Sequence, residues 1–367
     1  MSSFILTQAI NQKLRNDYIF KMKDLTKFNN DLHEKPASKA KLADSAVVAV
    51  AQVQLVTISE DDAGQRIDNF LLKKCKGVPK SHVYQILRSG QVRVNKGRID
   101  QLYRLKLNDI VRIPPVRMAE KKIESEFNKA PKAEFTILFE DAYLLIIDKP
   151  SGVAVHGGSG ISYGVIEQLR AARPEAKFLE LVHRLDRETS GVLLLAKKRS
   201  ALTNLHEQMR EGLTDKRYLT LIRGEWKNQR QHIKLPLHKY TAADGERRVR
   251  VQAEGMASHT IFTLLRRYGE FSLLEAELKT GRTHQIRVHL SASGFAIAGD
   301  EKYGDFALNR QLLKSEDKPE GKRIALKRMF LHAHQITFTH PATGEEMTVK
   351  SPLSKECEQF LISLGDC

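Results

Sequence analysis

Cysteine is scarce in this sequence, with three residues among 367. Cys75, Cys357 and Cys367 form no Cys-x-x-Cys pair, and none has a histidine at the spacing of a zinc site. Neither a disulfide framework nor a structural zinc module is therefore indicated. We expect no metal, and a chain with so few cysteines suits a reducing compartment such as the cytoplasm.

Long apolar stretches are also missing. The longest, residues 46–56, is interrupted by Gln52 and Gln54, and it is well short of the roughly 20 residues that span a bilayer. The N-terminal sequence Met-Ser-Ser-Phe-Ile-Leu has no basic segment ahead of an apolar one, which disfavours an export signal. We therefore predict a cytoplasmic protein that has no membrane partner.

Glycine-rich phosphate-binding motifs are absent as well. The sequence contains no GxxxxGK[ST] motif, and the glycines at 158 and 160 are followed by Tyr163 where a dinucleotide-binding motif has its third glycine. Nucleotide cofactors are not indicated, and we predict a protein that works without a cofactor.

Acidic residues are outnumbered, since 60 Lys and Arg stand against 44 Asp and Glu and give a formal charge of +16. Such an excess makes polyanions the natural partners, with nucleic acid ahead of an anionic membrane surface. Hydrophobic residues still make up 41% of the chain, so the charge is carried by a sequence that can bury a normal core.

The pattern of residues along the chain predicts four segments. Residues 1–52 are polar and lysine-rich, typical of a poorly ordered extension, and residues 53–113 have the helix and strand signals of a small compact domain. Residues 114–133 are dense in Lys and Glu and resemble an exposed linker. A second, larger domain is predicted over residues 134–367.

The small domain is predicted to contain two short amphipathic helices. Ile67, Phe70 and Leu71 have helical spacing, a second helix begins near Lys80, and residues 91–95 alternate as in a strand. Basic side chains recur through the domain, where they either bind a polyanion or form a solvated face: Arg66, Lys80, Arg88, Arg93 and Lys96.

The large domain has the signals of a mixed, mainly antiparallel sheet with flanking helices, so the fold class is α+β. A helix over 201–210 is predicted to be capped by Ser200 and ended by Gly212, and residues 309–327 are predicted to form an exposed loop. Strands are predicted at 135–140, 143–148 and 218–223, and the run 259–278 is predicted to fold back on itself at Tyr268-Gly269; a further helix is predicted at 165–173.

Two polar segments of the large domain are candidates for a site. Residues 183–191, His-Arg-Leu-Asp-Arg-Glu-Thr-Ser-Gly, form a loop between two apolar runs, and residues 280–290 have the signals of a helix start. On that helix His284 and His289 would lie about 140° apart, which is unsuitable for a shared metal. Arg287, one turn from His284, can instead direct its guanidinium at a carboxylate on another element.

Residues 183–191 match the HRLDxxTSG motif of RluA-type pseudouridine synthases, and three further segments support this resemblance. Residues 149–152 resemble the family's first motif, residues 216–218 its KxY element and residues 281–289 its GRTHQIRVH element. The small domain resembles the S4 RNA-binding domain that precedes the catalytic domain in many members. The similarity extends from about residue 53 to about residue 353.

The resemblance implies a role for several residues. Asp186 corresponds to the nucleophile, which attacks either the ribose anomeric carbon or the uracil ring. Arg287 is the candidate that holds this carboxylate, and Tyr218 corresponds to the residue that stacks on the target base and could remove the C5 proton. Arg184 is placed to fill the gap left by a flipped uridine. His183, Lys149 and His284 belong either to the site or to the supporting structure.

The resemblance is strongest to members that modify 23S ribosomal RNA of the large subunit, so we expect that RNA, free or in an assembly intermediate, as the partner of a monomer. One alternative is a non-catalytic RNA-binding protein of ribosome assembly, although retention of Asp186, Tyr218 and Arg287 argues against it. Another is a nuclease, which needs a histidine pair or a carboxylate–metal cluster that the sequence does not offer at suitable spacing.

Overall fold

The computed structural model describes residues 52–59, 62–75, 77–116, 130–158, 162–243, 245–318 and 321–365. All of them fall within one compact unit, residues 51–367. The predicted poorly ordered extension, apart from its last residue, lies outside the described residues, as do residues 117–129 of the predicted linker.

The small domain contains the two predicted helices, α1 (Ile67–Lys74) and α2 (Lys80–Arg88). Ile67, Phe70 and Leu71 are fully buried, which confirms the helical pattern predicted from their spacing. Three strands form an antiparallel sheet in the order β1-β3-β2 beside these helices: β1 (Gln54–Thr57), β2 (Arg93–Val94) and β3 (Ile110–Ile113).

The large domain is built on one long sheet. Its strands in the described residues are β4 (Thr136–Glu140), β5 (Leu144–Lys149), β6 (Glu180–Leu181), β7 (Ser190–Ala196), β8 (Asp215–Arg223), β9 (Arg230–Ile233), β12 (Thr260–Tyr268), β13 (Phe271–Leu278), β16 (Leu331–Thr339) and β17 (Glu346–Lys350). They follow the order β4-β5-β7-β16-β8-β13-β12-β9, with β6 paired to β7 and β17 paired to β16. The pairing is antiparallel except between β7 and β16, so the predicted α+β class and mainly antiparallel sheet are confirmed.

Two hairpins stand outside this sheet, β10 (Leu237–Thr241) with β11 (Arg247–Val251), and β14 (Glu316–Lys318) with β15 (Gly321–Arg323). Five helices complete the described part of the domain: α3 (Val165–Ala172), α4 (Arg199–Glu211), α5 (Gln285–Ala292), α6 (Phe306–Leu312) and α7 (Lys355–Ser363). None of the helices described is both long and apolar enough to cross a membrane.

Apolar side chains are buried on both faces of the sheet. Along β5, Leu145 and Ile147 join one core cluster, while the alternating Leu144 and Ile146 join another. Helix α3 packs into the first cluster and α4 into the second. The continuous apolar run of β5 reflects this, because a strand covered on both faces has no need for polar alternation.

Two local predictions require correction. Helix α4 begins at Arg199 after Lys198, so Ser200 is not its cap, although Gly212 ends the helix in the left-handed conformation as predicted. Residues 309–327 are not simply an exposed loop. Helix α6 begins after Asp305, whose side chain accepts hydrogen bonds from two amides of the first turn, and it extends to Leu312 because Leu308 and Leu312 pack into a core cluster.

Candidate active site

The loop of residues 182–189 carries the candidate nucleophile, and Lys149 fastens it to the sheet. The fully buried Lys149 donates from Nζ to the carbonyls of Pro150, Val153 and Arg187 at 2.8, 2.8 and 3.1 Å. Ser151 Oγ donates to the carbonyl of Glu188 at 2.7 Å. Burial lowers the pKa of Lys149 to about 7. Residues 149–152 therefore hold the loop in place through hydrogen bonds to its backbone carbonyls, which gives this motif a supporting function.

Asp186 lies where this loop meets the start of α5. Its Oδ2 is 3.5 Å from Nη1 of Arg287 and 3.7 Å from Nε2 of His284, and its side chain is 20% exposed. Arg287 is only 6% exposed. The structure therefore brings the two predicted residues together as a charged pair and adds His284 as a third member.

Arg287 is fixed by a second carboxylate that the sequence interpretation missed. Asp300, almost fully buried, accepts from Nε and Nη2 of Arg287 at 2.7 Å each. Backbone amides of Lys302 and Tyr303 also donate to Asp300. Burial by itself raises the pKa of Asp300, but the hydrogen bonds from Arg287 and these amides outweigh it and lower the pKa overall. The guanidinium is thereby held with Nη1 directed at Asp186.

His284 is the residue before α5, in the left-handed conformation with φ of 53°. Its Nδ1 lies 2.7 Å from the Tyr303 hydroxyl. The backbone amide of Val249 donates to the same hydroxyl at 2.9 Å. Burial lowers the pKa of His284 to about 4, so the ring is neutral at physiological pH. Tyr303, like Asp300, had no role in the sequence interpretation.

Tyr218 lines a cavity of about 430 Å³ that Asp186 also lines, and the walls of this cavity combine apolar with polar and charged side chains. Its side chain is 8% exposed, and its neighbours across β13 and β16 are Ala276 and Ala333, whose small side chains leave room beside the ring. Burial and, second, the charge of Asp186 raise the pKa of Tyr218 above the usual value of a phenol. The remaining walls include Leu278, Ile286 and Leu331.

A second cavity, of about 660 Å³, opens on the other side of Asp186 and is rich in charged side chains. Arg184 is exposed and lines both cavities, so it stands where the two cavities adjoin. Basic residues of the larger cavity are Arg184, Arg187, Arg248, Arg287, Lys302, Lys327 and Arg328, with Glu188, Glu246 and Glu301 among them.

The other histidines of the motifs have hydrogen-bond partners within the protein. His183 accepts the backbone amide of Leu194 at Nε2, and His289 is enclosed by the hydroxyls of Ser258 and Thr260. No group of three or more His, Cys, Asp or Glu side chains that could hold a metal occurs within the described ranges.

The five basic residues of the small domain lie away from both cavities. Lys80, Arg88, Arg93 and Lys96 are exposed, whereas Arg66 is half-buried and pairs with Asp68 at 2.6 Å. Four of the five therefore offer charge to an external partner, while Arg66 already has a carboxylate partner within the domain.

Two family models match the chain, and both match regions that the structure has just defined. The S4 domain model matches residues 65–111, and the model described as RNA pseudouridylate synthase matches residues 143–292, which include Asp186, Tyr218 and Arg287. The class of protein is therefore an enzyme that modifies RNA.

Relatives place the chain within that class. It is 54% identical to "Ribosomal large subunit pseudouridine synthase C" of Pasteurella multocida (strain Pm70), covering 86% of this chain and 94% of the relative. It is 52% identical to the protein of the same name from Escherichia coli (strain K12), covering 85% and 97%. Among solved structures, "Human RNA Pseudouridylate Synthase Domain Containing 4" matches 62% of this chain and 92% of its own at 25% identity, with a TM-score of 0.49. The chain belongs to the RNA pseudouridine synthase family.

Proposed function

We propose that the chain converts specific uridines of 23S ribosomal RNA to pseudouridine, with Asp186 as the nucleophile. The observation that carries the proposal is the position of Asp186, which is paired with Arg287 and lines the same cavity as Tyr218. The relatives named as large-subunit pseudouridine synthases are more than half identical over most of their length, which supports the choice of RNA.

The reaction is an isomerisation, so it needs no oxidant and no energy source. The bond between N1 of uracil and C1′ of the ribose breaks, the base turns, and a bond forms between C5 and C1′. The C5 carbon loses a proton and N1 carries one in the product, so atoms and electrons balance. A carboxylate can support this by forming a transient covalent bond, either to C1′ or to the uracil ring.

Arg287 orients the nucleophile in this proposal. Two of its nitrogens are occupied by Asp300, and Nη1 remains directed at Asp186 Oδ2. A guanidinium has a fixed fork geometry, so anchoring two nitrogens determines where the third points. The nucleophile is thus positioned before the substrate binds, and such preorganisation of reacting groups is a major source of enzymatic rate enhancement.

Tyr218 supplies the surface on which the uracil stacks. The ring forms part of a cavity wall with Leu278, Ile286 and Leu331, and base stacking on an aromatic ring contributes about 1–3 kcal/mol. Removal of the C5 proton by the phenol is the less supported of its two predicted roles. Because the pKa of Tyr218 is raised, little phenolate is present at neutral pH to act as a base.

Arg184 is proposed to occupy the space of the flipped uridine. Extruding a base from structured RNA costs a few kcal/mol, and a side chain that enters the vacated stack offsets part of it. Arg184 is exposed and lines both cavities, so its side chain can contact the RNA while the flipped base occupies the cavity beside Asp186. The basic side chains of the larger cavity suit the flanking phosphates.

The small domain, residues 53–113, is proposed to add affinity through phosphate contacts from Arg66, Lys80, Arg88, Arg93 and Lys96. In the same proposal, residues 114–133 connect it to a catalytic domain of residues 134–367, after an extension of residues 1–52. The protein would act as a cytoplasmic monomer on free rRNA or an assembly intermediate. The positive charge of the whole chain, +16, supports an RNA partner.

The test is to map pseudouridine in 23S RNA from cells with and without this protein by chemistry that stops reverse transcriptase at pseudouridine. Sites that disappear without the protein, and that return when purified protein is added to their RNA, are the expected result. RNA length should be unchanged, since isomerisation breaks no phosphodiester bond. An identical map in both cells, with no sites formed in vitro, would leave a non-catalytic assembly protein as the better explanation.

A further inference from the structure

The Tyr303 hydroxyl joins the candidate nucleophile to a hairpin outside the main sheet. It accepts the backbone amide of Val249, on β11, at 2.9 Å and lies 2.7 Å from Nδ1 of His284. The Tyr303 ring packs beside Val249 and Val288, and the Arg287 guanidinium lies 5.0 Å from its centre. The hydroxyl therefore has fixed partners on two sides.

The hydrogen-bonding chemistry of these groups determines where the His284 proton is. The Val249 amide is a donor only, so the Tyr303 oxygen accepts from it, and the single hydroxyl proton is free to point at His284 Nδ1. Nδ1 then accepts, and the proton of the neutral ring is on Nε2. The opposite tautomer would leave the hydroxyl proton without this acceptor and turn the Nε2 lone pair towards the anionic oxygen of Asp186, 3.7 Å away.

Two further facts keep this arrangement at neutral pH. Burial raises the pKa of Tyr303 to about 12, so the hydroxyl keeps its proton. Burial lowers the pKa of His284 to about 4, so the imidazole keeps one free lone pair to accept that proton. Desolvation is the first cause of both shifts, and both groups are thereby retained in the neutral forms that the hydrogen bond needs.

We propose that Tyr303 is a positioning residue for the isomerisation: through His284 it directs an N–H at Asp186, and it is itself anchored by Val249 of the hairpin β10–β11. The nucleophile then faces two N–H groups, of Arg287 at 3.5 Å and of His284 at 3.7 Å, and each of these side chains is held by a residue of the turn that starts at Asp300. This inference rests on the proposed function, because it requires Asp186 to be the nucleophile.

The hairpin gives the anchor a connection to the RNA-facing side of the site. Arg248, the residue before Val249, lines the charged cavity beside Asp186. Glu246, just before the same strand, pairs with Lys302, the residue before Tyr303. The strand and the turn are thus joined twice, by a side-chain ion pair and by the bond from the Val249 amide to the Tyr303 hydroxyl.

The central test is Tyr303→Phe, which removes the hydroxyl and retains the ring that packs beside Val288. At saturating RNA we expect the single-turnover rate of pseudouridine formation to fall about tenfold, the upper end of the contribution of one hydrogen bond between neutral groups. The Kd for the RNA should stay within about twofold. Tyr143→Phe is the matched control: Tyr143 packs against a different core cluster and lines neither cavity beside Asp186, so loss of its hydroxyl should leave the rate unchanged.

His284 variants show whether Tyr303 acts through the imidazole. His284→Gln keeps a side-chain N–H near the position of Nε2 and should retain more activity than His284→Met, which fills a similar space without a donor, so the difference reports the N–H and not the packing. In the His284→Ala background, Tyr303→Phe should have no further effect, because a double-mutant cycle of two residues acting in series is non-additive. This pair of histidine variants also tests the inference should Tyr303→Phe fold poorly.

Two outcomes would overturn the inference: a Tyr303→Phe enzyme as fast as wild type, or a loss of the same size with and without His284. Asp186→Asn, measured in parallel, separates this from failure of the proposed function. If Asp186→Asn is inactive while Tyr303→Phe is fully active, only the positioning role is wrong. If Asp186→Asn is active, the assignment of the nucleophile is wrong.

Discussion

The basic residues of the small domain and the arginine beside Asp186 carry the same charge in opposite settings. Lys80, Arg88 and Lys96 are exposed, and water and salt screen their charges. Arg287 is 6% exposed and bonded twice to Asp300. Exposed cations can adjust their side chains to the phosphates of a flexible polyanion, whereas a buried and anchored cation can hold one carboxylate in a fixed position.

The comparison teaches that affinity and chemistry have different tolerances in this molecule. Phosphate attraction is long-ranged and is shared among many side chains, so each contributes a little and none is essential. The proposed catalytic arrangement depends on individual bonds of 2.7 Å between the buried side chains of Arg287 and Asp300, where a single substitution removes the partner of a buried charge. The predictions below separate the two.

Asp186→Asn should break the comparison most completely. The amide keeps the size of the side chain and loses the nucleophile, so pseudouridine formation should be abolished while RNA binding persists. Single-turnover assays with the RNA fragment that wild type modifies measure the first quantity, and filter binding measures the second. Turnover near the wild-type rate would remove Asp186 from the mechanism.

Asp300→Asn tests the buried ion pair. Removing one partner of a buried pair leaves an uncompensated charge, so the free energy of unfolding should fall by about 3–5 kcal/mol, and activity should fall with it because Arg287 loses its anchor. Since the pKa of Asp300 is lowered in the folded protein, its contribution is fully present above the ordinary aspartate value of about 3.9 and is lost as pH falls through the lower folded value. Urea unfolding at pH 7 and pH 3 measures the loss of stability and its pH dependence, and single-turnover assays measure the loss of activity.

Asp305→Asn is the matched control for this variant. Asp305 pairs with Arg223 at 2.9 Å in a more exposed setting and also caps α6, a task that asparagine can perform. An exposed pair contributes about 0–1 kcal/mol, so this change should be nearly silent. Equal losses in the two variants would mean that burial of the Arg287 pair has no special role.

Tyr218 should show an intermediate effect, and two substitutions divide its roles. Tyr218→Leu removes the stacking surface and should weaken binding and rate together. Tyr218→Phe keeps the ring, so substrate binding should persist, and its rate reports whether the hydroxyl takes part. A Phe variant as fast as wild type would leave stacking as the role of Tyr218, whereas a stalled Phe variant would restore the phenol as a base despite its raised pKa.

The sequence was sufficient to predict the residues that lie within recognisable motifs. Asp186, Tyr218 and Arg287 each belong to a short segment that matches a family motif, and the structure brings all three to one site. The fold class followed from alternation and turn signals, which are local. A local pattern fails where tertiary packing determines the structure. In α6, Leu308 and Leu312 are buried, although the lysine-rich sequence that follows is typical of an exposed loop.

Asp300, Tyr303 and the function of Lys149 could not be predicted in this way. Asp300 follows Arg287 by 13 positions, across a turn that brings it back to the helix, so no short spacing marks the pair. Lysines are rarely buried, and only the structure shows three carbonyls around Lys149 Nζ. These residues act by their three-dimensional contacts, which sequence periodicity does not encode.

The smallest expected effect sharpens the comparison from the side of the small domain. Arg88→Gln and Lys96→Gln each remove one exposed charge, and removing one phosphate interaction should flatten the plot of log binding constant against log salt by about 0.7–0.9. The rate at saturating RNA should not change, because neither residue lines the cavities beside Asp186. Binding at several salt concentrations, with single-turnover rates at saturation, gives both quantities.

A matched control for these variants is Lys355→Gln, which removes an exposed charge of the same sign from the first turn of α7. If attraction came only from the overall charge of +16, all three substitutions would change binding equally at a given salt concentration. If the small domain contacts phosphates directly, only Arg88→Gln and Lys96→Gln should alter the salt slope, because counterions are released only where a phosphate is neutralised. An unchanged slope in all three variants would remove the small domain from the RNA interface and leave affinity to the charged cavity beside the nucleophile.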